Sequence, residues 1–464
     1  MTPRIEKDFL GTMEIPKDVY YGIQTMRAKE NFPITGLTVD PELIRALAIV
    51  KKSAAQANAA TGSLQQDIAE AIIQAATEII DGLWHEQFVV DPIQGGAGTS
   101  LNMNANEVIA NRALEILGHD KGNASIISPN SHVNMAQSTN DAFPTAIHLS
   151  TVTLLIELLN VMEHMVSVFE QKAEQFDHII KMGRTHLQDA VPIRLGQEFL
   201  AYAKVLRRDM KRIKQTKEDL YEINLGATAI GTYLNADEAY IVSAVDFVKQ
   251  NTGLPFVACE NHVDGTQNTD IYTEVSGALK ICMLNMSKIC NDLRLMASGP
   301  KTGFAEILLP ERQPGSSIMP GKVNPVMLEV INQIAFQVVG NDATISMASE
   351  AGQFELNVME PVLVFNLLQS IRIMTNGFEA FTEYCLQGIQ ANEEVLRANV
   401  ERSIGVITAI APHVGYEIAS KLAREALETN ESVRSLCLKY GYFTEEEINV
   451  VLDPFRMTTL QKKQ

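Results

Sequence analysis

Residues 271–296 read Ile271-Tyr-Thr-Glu-Val-Ser-Gly-Ala-Leu-Lys-Ile-Cys-Met-Leu-Asn-Met-Ser-Lys-Ile-Cys-Asn-Asp-Leu-Arg-Leu-Met296. Ile271, Val275, Ala278, Cys282, Met286, Ile289, Leu293 and Met296 recur in unbroken steps of three and four. That period lines up side chains on one face of an α-helix. Gly299-Pro300 ends the run. The same spacing recurs from Val152 through Leu155, Leu159, Met162, Val166 and Phe169, with Ile147 five residues ahead, within a segment running from Pro144 to Phe176. It recurs in Phe199, Ala203, Leu206, Met210, Ile213 and Leu220, interrupted at Lys217. Met327–Val339 and Val362–Leu386 are two more such segments, each with a proline at its start. Helices of roughly 25–35 residues exceed the usual length and imply a bundle. Several are apolar on more than one face, which predicts that a second copy of the chain covers one of them.

Outward from this core the pattern shortens. Residues 1–40 are punctuated by Gly11, Pro16, Gly22, Pro33 and Gly36 and read as loops and short turns. Helical periods follow from Pro41 and from Ile68, and a further helix carries Met103, Val108, Leu114 and Leu117 before Gly118. Beyond Asn392 the helices are short, with interruptions at Pro412 and Gly415 and a capping box at Thr444–Glu447. Strand signals are few: Ile223–Tyr233 and Val257–Val263 are suited to short β pieces. The fold class is all-α. Three domains are expected: a mostly helical 1–139, a long-helix bundle over 140–393, and a small helical 394–464.

Composition limits the partners. A net charge of −18 argues against nucleic acid or an anionic membrane surface. The five cysteines are scattered without a Cys-x-x-Cys pair, so neither a disulfide framework nor a zinc site is indicated. The N-terminus has no apolar signal segment, and His148, Glu157 and Glu163 interrupt the most apolar run. A cytoplasmic chain without a membrane span is expected. No metal-ligand spacing and no cofactor motif is found; His85-Glu86 lacks a partner four residues on.

Four stretches carry candidate chemistry. Gly315-Ser-Ser-Ile-Met-Pro-Gly-Lys-Val-Asn-Pro325 is poor helix and poor strand. It reads as a loop, with Asn324 placed to cap a helix from Val326 and Pro325 in its first turn. By residue type it is either a surface loop before a helix or a mobile catalytic loop, with serine as base or nucleophile and Lys322 holding an anion. Gly95-Gly-Ala-Gly-Thr-Ser100, followed by Asn102, Asn104 and Asn106, is a turn and helix start without the spacing of a dinucleotide site. Ser138-Thr139-Asn140-Asp141 is a cap at the mouth of a long helix, a geometry that also suits an anion. Gly183-Arg-Thr-His-Leu-Gln-Asp189 holds a loop histidine, and Arg184 and Asp189 are placed to pair.

In this order, the four stretches resemble the fumarase/aspartase superfamily over essentially the whole chain. The Gly315–Pro325 loop matches its signature residue for residue. Gly-Gly-Ala-Gly-Thr-Ser-Leu-Asn-Met-Asn-Ala-Asn-Glu, from Gly95 to Glu107, has the form of the ammonia-eliminating branch. Fumarases usually read Gly-Ser-Gly-Thr-Gln-Ser/Thr there. The resemblance implies elimination of ammonia from L-aspartate, reversibly, to give fumarate through an aci-carboxylate. It implies Ser316 as the base and His186 as a charge-holding residue near the leaving amine, although His186 is the more basic group by type. Thr99, Ser138, Thr139 and Ser317 would hold the developing dianion. Lys322 and Asn324 would bind the α-carboxylate, Asn140 and Thr185 would face the amino group with His186, and Met319 would line the pocket. Gln188 would support His186. His132 reads as a plain loop histidine. The family arrangement is a homotetramer with each active site drawn from three subunits, needing a small-molecule substrate and no cofactor. The rival readings are a class II fumarate hydratase and a catalytically silent structural relative.

Overall fold

The computed structural model describes residues 3–460. Helices dominate it, and among the described residues the strands form four two-stranded sheets. The long helices are Thr139–Gln175, Leu195–Asp219, Asp270–Met296, Val326–Glu350 and Glu360–Tyr384. The Asp270–Met296 helix places Val275, Cys282, Met286, Ile289 and Leu293 in the core, the face its period predicts.

The chain divides into two compact units. One comprises Met1–Asn160, Met210–Met283 and Phe336–Thr375; the other comprises Val161–Asp209, Leu284–Ala335 and Asn376–Gln464. In the first, the helices Pro41–Ala60, Gln66–Ile80 and Glu238–Thr252 pack through Leu47, Ala54, Ile72 and Val248, each with no exposed surface. The Glu107 carboxylate, buried on the Thr99–Ile116 helix, accepts hydrogen bonds from the amides of Gly22, Gln24 and Thr25. Asp40 caps the Pro41–Ala60 helix by accepting from Glu42 N–H, and pairs with Arg372 at 2.8 Å. In the second unit, Phe169, Phe176, Phe199, Tyr202 and Phe381 form an aromatic cluster with ring centroids 5.2–6.2 Å apart. Short helices after Asn392 close on Val406, Ile410, Leu422, Leu436 and Ile448, and the Thr444–Glu447 capping box forms.

Several expectations change. Residues 4–15 form an antiparallel hairpin, Arg4–Asp8 with Gly11–Ile15, rather than loop. Its side chains alternate between half-buried and exposed, a period hidden because the half-buried face of the first strand carries the charged Arg4, Glu6 and Asp8 while Ile5 lies exposed. A second unexpected hairpin, Ile180–Thr185 with Gln188–Arg194, carries His186 at its turn. The expected β pieces shrink to Glu222–Ile223 and Val257–Ala258, a parallel pair. The Thr139–Gln175 helix begins before Pro144, which falls in its first turns. By length and composition that helix is apolar enough to cross a membrane, despite His148, Glu157 and Glu163 within it. Half of its most apolar window is buried inside the protein.

Candidate active site

In the first unit, the candidate residues gather at two helix starts. Gly96 and Gly98 adopt φ of +94° and +87° and turn the chain into the Thr99–Ile116 helix. A Cβ on Gly98 would lie 2.5 Å from the Phe143 ring, so only glycine fits there. Thr99 is exposed, and its hydroxyl donates to Gly96 O at 2.8 Å. It lines a cavity of about 210 Å³ with Asp8, Phe9, Arg27 and Met103. At the second start, Ser138 Oγ accepts from Asn140 N–H, and Ser138 N–H donates to Asp141 Oδ1 at 2.9 Å. Asp141 is fully buried and also accepts from the amides of Gly226 and Thr228, yet burial pushes its carboxyl up to about 6. The Asn140 side chain donates to Ala229 O at 2.8 Å.

Beneath Thr139 lies a buried polar network that joins Asn102 and Asn106 to Lys51, Asn134 and Gln137, three residues not anticipated from the sequence. Lys51 is wholly buried and donates to Asn134 Oδ1 and Gln137 Oε1, both at 2.9 Å. Asn134 Oδ1 also accepts from Asn102 and Asn106. Asn102 Nδ2 donates on to Thr139 Oγ1 at 3.1 Å, which leaves the Thr139 hydroxyl hydrogen free to donate. Burial pushes the Lys51 amine down to about 7, with Asp141 opposing the shift. The available signal was a lysine on the apolar face of a helix, four residues after Leu47 and eight after Leu43.

The remaining candidates lie in the second unit. In the Gly315–Pro325 loop, Gly315 N–H donates to Lys322 O at 2.6 Å and Pro314 bridges to Val323, closing it as a tight lobe. Asn324 does not cap the Val326–Glu350 helix, as its position suggested; its side chain turns back and donates to Gly315 O at 2.7 Å. The Asn324 Nδ2 satisfies the Gly315 carbonyl and so holds the lobe closed. Ser316 Oγ accepts from Ile318 N–H at 3.2 Å and Met319 N–H at 3.1 Å. Two amide donors on one hydroxyl oxygen favour its anionic form. Ser317, Met319 and Lys322 are exposed, and among the described residues the Lys322 ammonium makes no ion pair. In the hairpin, Thr185 pairs with Gln188, leaving His186 and Leu187 as a two-residue turn with φ of +56° and +58°. Such a turn favours Asn-Gly; holding His and Leu in it stores strain at the position that presents His186. Arg184 and Asp189 are cross-strand neighbours, but the Arg184 guanidinium reaches Glu306 at 2.7 Å, and Asp189 accepts from Ser403. Cavities of about 350 and 670 Å³ contain none of the candidate residues.

Charge and chemistry therefore group into small hydroxyls at two helix starts, an amide-held serine, an exposed lysine and a turn-borne imidazole. The family model described as Lyase matches residues 11–340, and that described as Fumarase C C-terminus matches residues 406–459. The chain belongs to the fumarase/aspartase superfamily of lyases. It is 67% identical to the aspartate ammonia-lyase of Bacillus subtilis (strain 168), over 98% of this chain and 96% of that one. Among solved structures, it matches a fumarate lyase:delta crystallin from Brucella melitensis, bound to cobalt, with TM-score 0.96 and 47% identity, over 99% and 100% of the two chains. It also matches a class II fumarase from Schistosoma mansoni with TM-score 0.93 and 32% identity, over 98% and 99%.

Proposed function

We propose that this chain is a carbon–nitrogen lyase that converts L-aspartate reversibly to fumarate and ammonia. The observation that carries the reading is its 67% identity, over nearly the full length, to an aspartate ammonia-lyase. The geometry gives the reaction a physical route. Ser316 Oγ removes a Cβ proton; its two amide donors stabilise the alkoxide that must form first. The electron pair moves into the adjacent carboxylate, making an aci-carboxylate dianion. Thr99, Ser138, Thr139 and Ser317 donate hydrogen bonds to it, Thr99 after releasing Gly96 O. One donor of this kind is typically worth about 10²–10³ in rate. The dianion then re-forms its carboxylate and expels ammonia from Cα. Lys322 and Asn324 hold the α-carboxylate; Asn140, Thr185 and His186 face the amino group, with Gln188 behind them, and Met319 lines the pocket. Neutral donors favour the dianion without trapping the fumarate carboxylates.

A homotetramer, with each site shared by three subunits around the 140–393 bundle, completes the reading. The 1–139 and 394–464 domains flank that bundle. Its support is the apolar surface left on the long helices: Leu284 is 53% exposed, Phe336 67% and Met347 74%. The cytoplasm, where aspartate is available, is the compartment that suits it.

The test is the ultraviolet absorbance of fumarate, followed with purified protein and L-aspartate, then with L-malate. A rise with aspartate alone is expected. A rise with malate alone would make the chain a hydratase, and silence with both would leave a structural relative.

A further inference from the structure

We propose that Glu306 is a positioning residue for the reaction, its buried carboxylate fixing the turn that presents His186. The proposal rests on the role assigned above to His186. Glu306 has no exposed surface, in a stretch held by its own backbone: its N–H donates to Met296 O at 2.8 Å, and its carbonyl accepts from Asn392 N–H at 2.9 Å. Arg184 Nη2 donates to Glu306 Oε1 at 2.7 Å, and Lys181 Nζ lies 3.1 Å from Oε2 while also bonding Glu198. The Arg184 guanidinium is further held over the Phe304 ring, 4.4 Å from its centroid.

The hairpin needs this anchor. His186 and Leu187 occupy the left-handed region without glycine or asparagine. Leu187 is 67% exposed, so packing at the tip does not hold it there. Between Met182 and Arg184 the register shifts, so pairing alone specifies the turn loosely. Arg184, the first paired residue beyond the shift, is the one Glu306 grips. Buried ion pairs add little net stability compared with apolar side chains of similar volume. Their directional bonds, however, fix where the paired groups sit. Here that constraint falls two residues from His186.

The test is a double-mutant cycle in the full-length protein. Glu306→Gln keeps the shape and removes the charge. Arg184→Met/Glu306→Gln leaves Lys181 and Glu198 balanced, and serves if the single variant does not fold. Steady-state kcat and KM for L-aspartate are measured for each, alone and combined with His186→Ala, with hydrogen exchange across residues 183–189. We expect kcat/KM to fall about tenfold or more in either charge variant. On a His186→Ala background the further loss should be less than about twofold, because both act through one turn. Exchange should quicken in the hairpin. Wild-type kcat/KM in Glu306→Gln beside an impaired His186→Ala would overturn the role of Glu306 alone. Losses that multiply across the cycle, or unchanged exchange at the turn, would reduce Glu306 to a structural part. Wild-type kcat/KM in His186→Ala would instead remove the role of His186, and the proposal with it.

Discussion

Replacing Lys51 by methionine tests the network under Thr139, and its effect on stability depends on pH. Lys51 ionises at about 7 in the folded protein, against 10.5 when free, because burial disfavours its charge. A cation whose folded value is depressed contributes its full stability above the free value and loses it as pH falls through the folded one. Between these limits the unfolded chain binds more protons, so wild-type stability rises with pH from about 7 to 10.5. The gap, at about 1.4 kcal/mol per pH unit, sets a ceiling of about 5 kcal/mol. Lys51→Met has no such group. It leaves Gln137 Oε1 without its donor, whereas Asn134 Oδ1 keeps Asn102 and Asn106. The orphaned acceptor costs about 1–3 kcal/mol at every pH. Wild type should therefore gain on the variant as pH rises, with the two closest at low pH. Trp84, the single tryptophan, packs on Tyr20 in the same unit, so its fluorescence during urea unfolding at several pH values reports the right region. If the midpoints of wild type and variant stay parallel from pH 6 to 10, Lys51 is not the buried titrating group and the argument fails.

Three further outcomes follow from particular contacts. Ser316→Ala should lower kcat by about 10²–10⁴, the usual worth of a positioned base, without unfolding the protein, since the lobe keeps its Gly315–Lys322 and Asn324–Gly315 bonds; near-normal turnover would pass the base to another group. Gly98→Ala should destabilise the first unit by about 2 kcal/mol or more, because a Cβ meets Phe143 and φ is +87°, and a melting temperature equal to wild type would contradict this. Glu360 is wholly buried with Oε2 unpartnered, and burial pushes its carboxyl up to about 8. A raised carboxyl contributes stability below its free value of 4.5 and loses it as pH rises to 8, so Glu360→Gln should gain on wild type across that window, which thermal melts at pH 5 and pH 8 would check.

The long helices were legible because a period of three and four over many turns has no other cheap solution than an amphipathic helix. Val275, Cys282, Met286 and Leu293 are buried where that period put them. The loop and its serines were legible because Gly315, Pro320, Gly321 and Pro325 exclude both regular structures locally. The hairpin under His186 was not. Its strands are short, Gly183 and Pro192 weaken the strand pattern, and its turn uses His and Leu where Asn-Gly would have announced it. The burial of Lys51, signalled only by its place on an apolar helix face, and that of Glu306 were hard to read for a deeper reason. A charged side chain reads as solvated until its neighbours are known, and theirs come from distant sequence: Asn134 and Gln137 for one, Lys181 and Arg184 for the other. Sequence by itself determined the helical class, the superfamily and the residue types of the chemistry, because these rest on local pattern. Only the tertiary structure decided which charges are buried, which amides hold the Ser316 oxygen and what bends the chain at His186, because burial and strain are properties of packed neighbours.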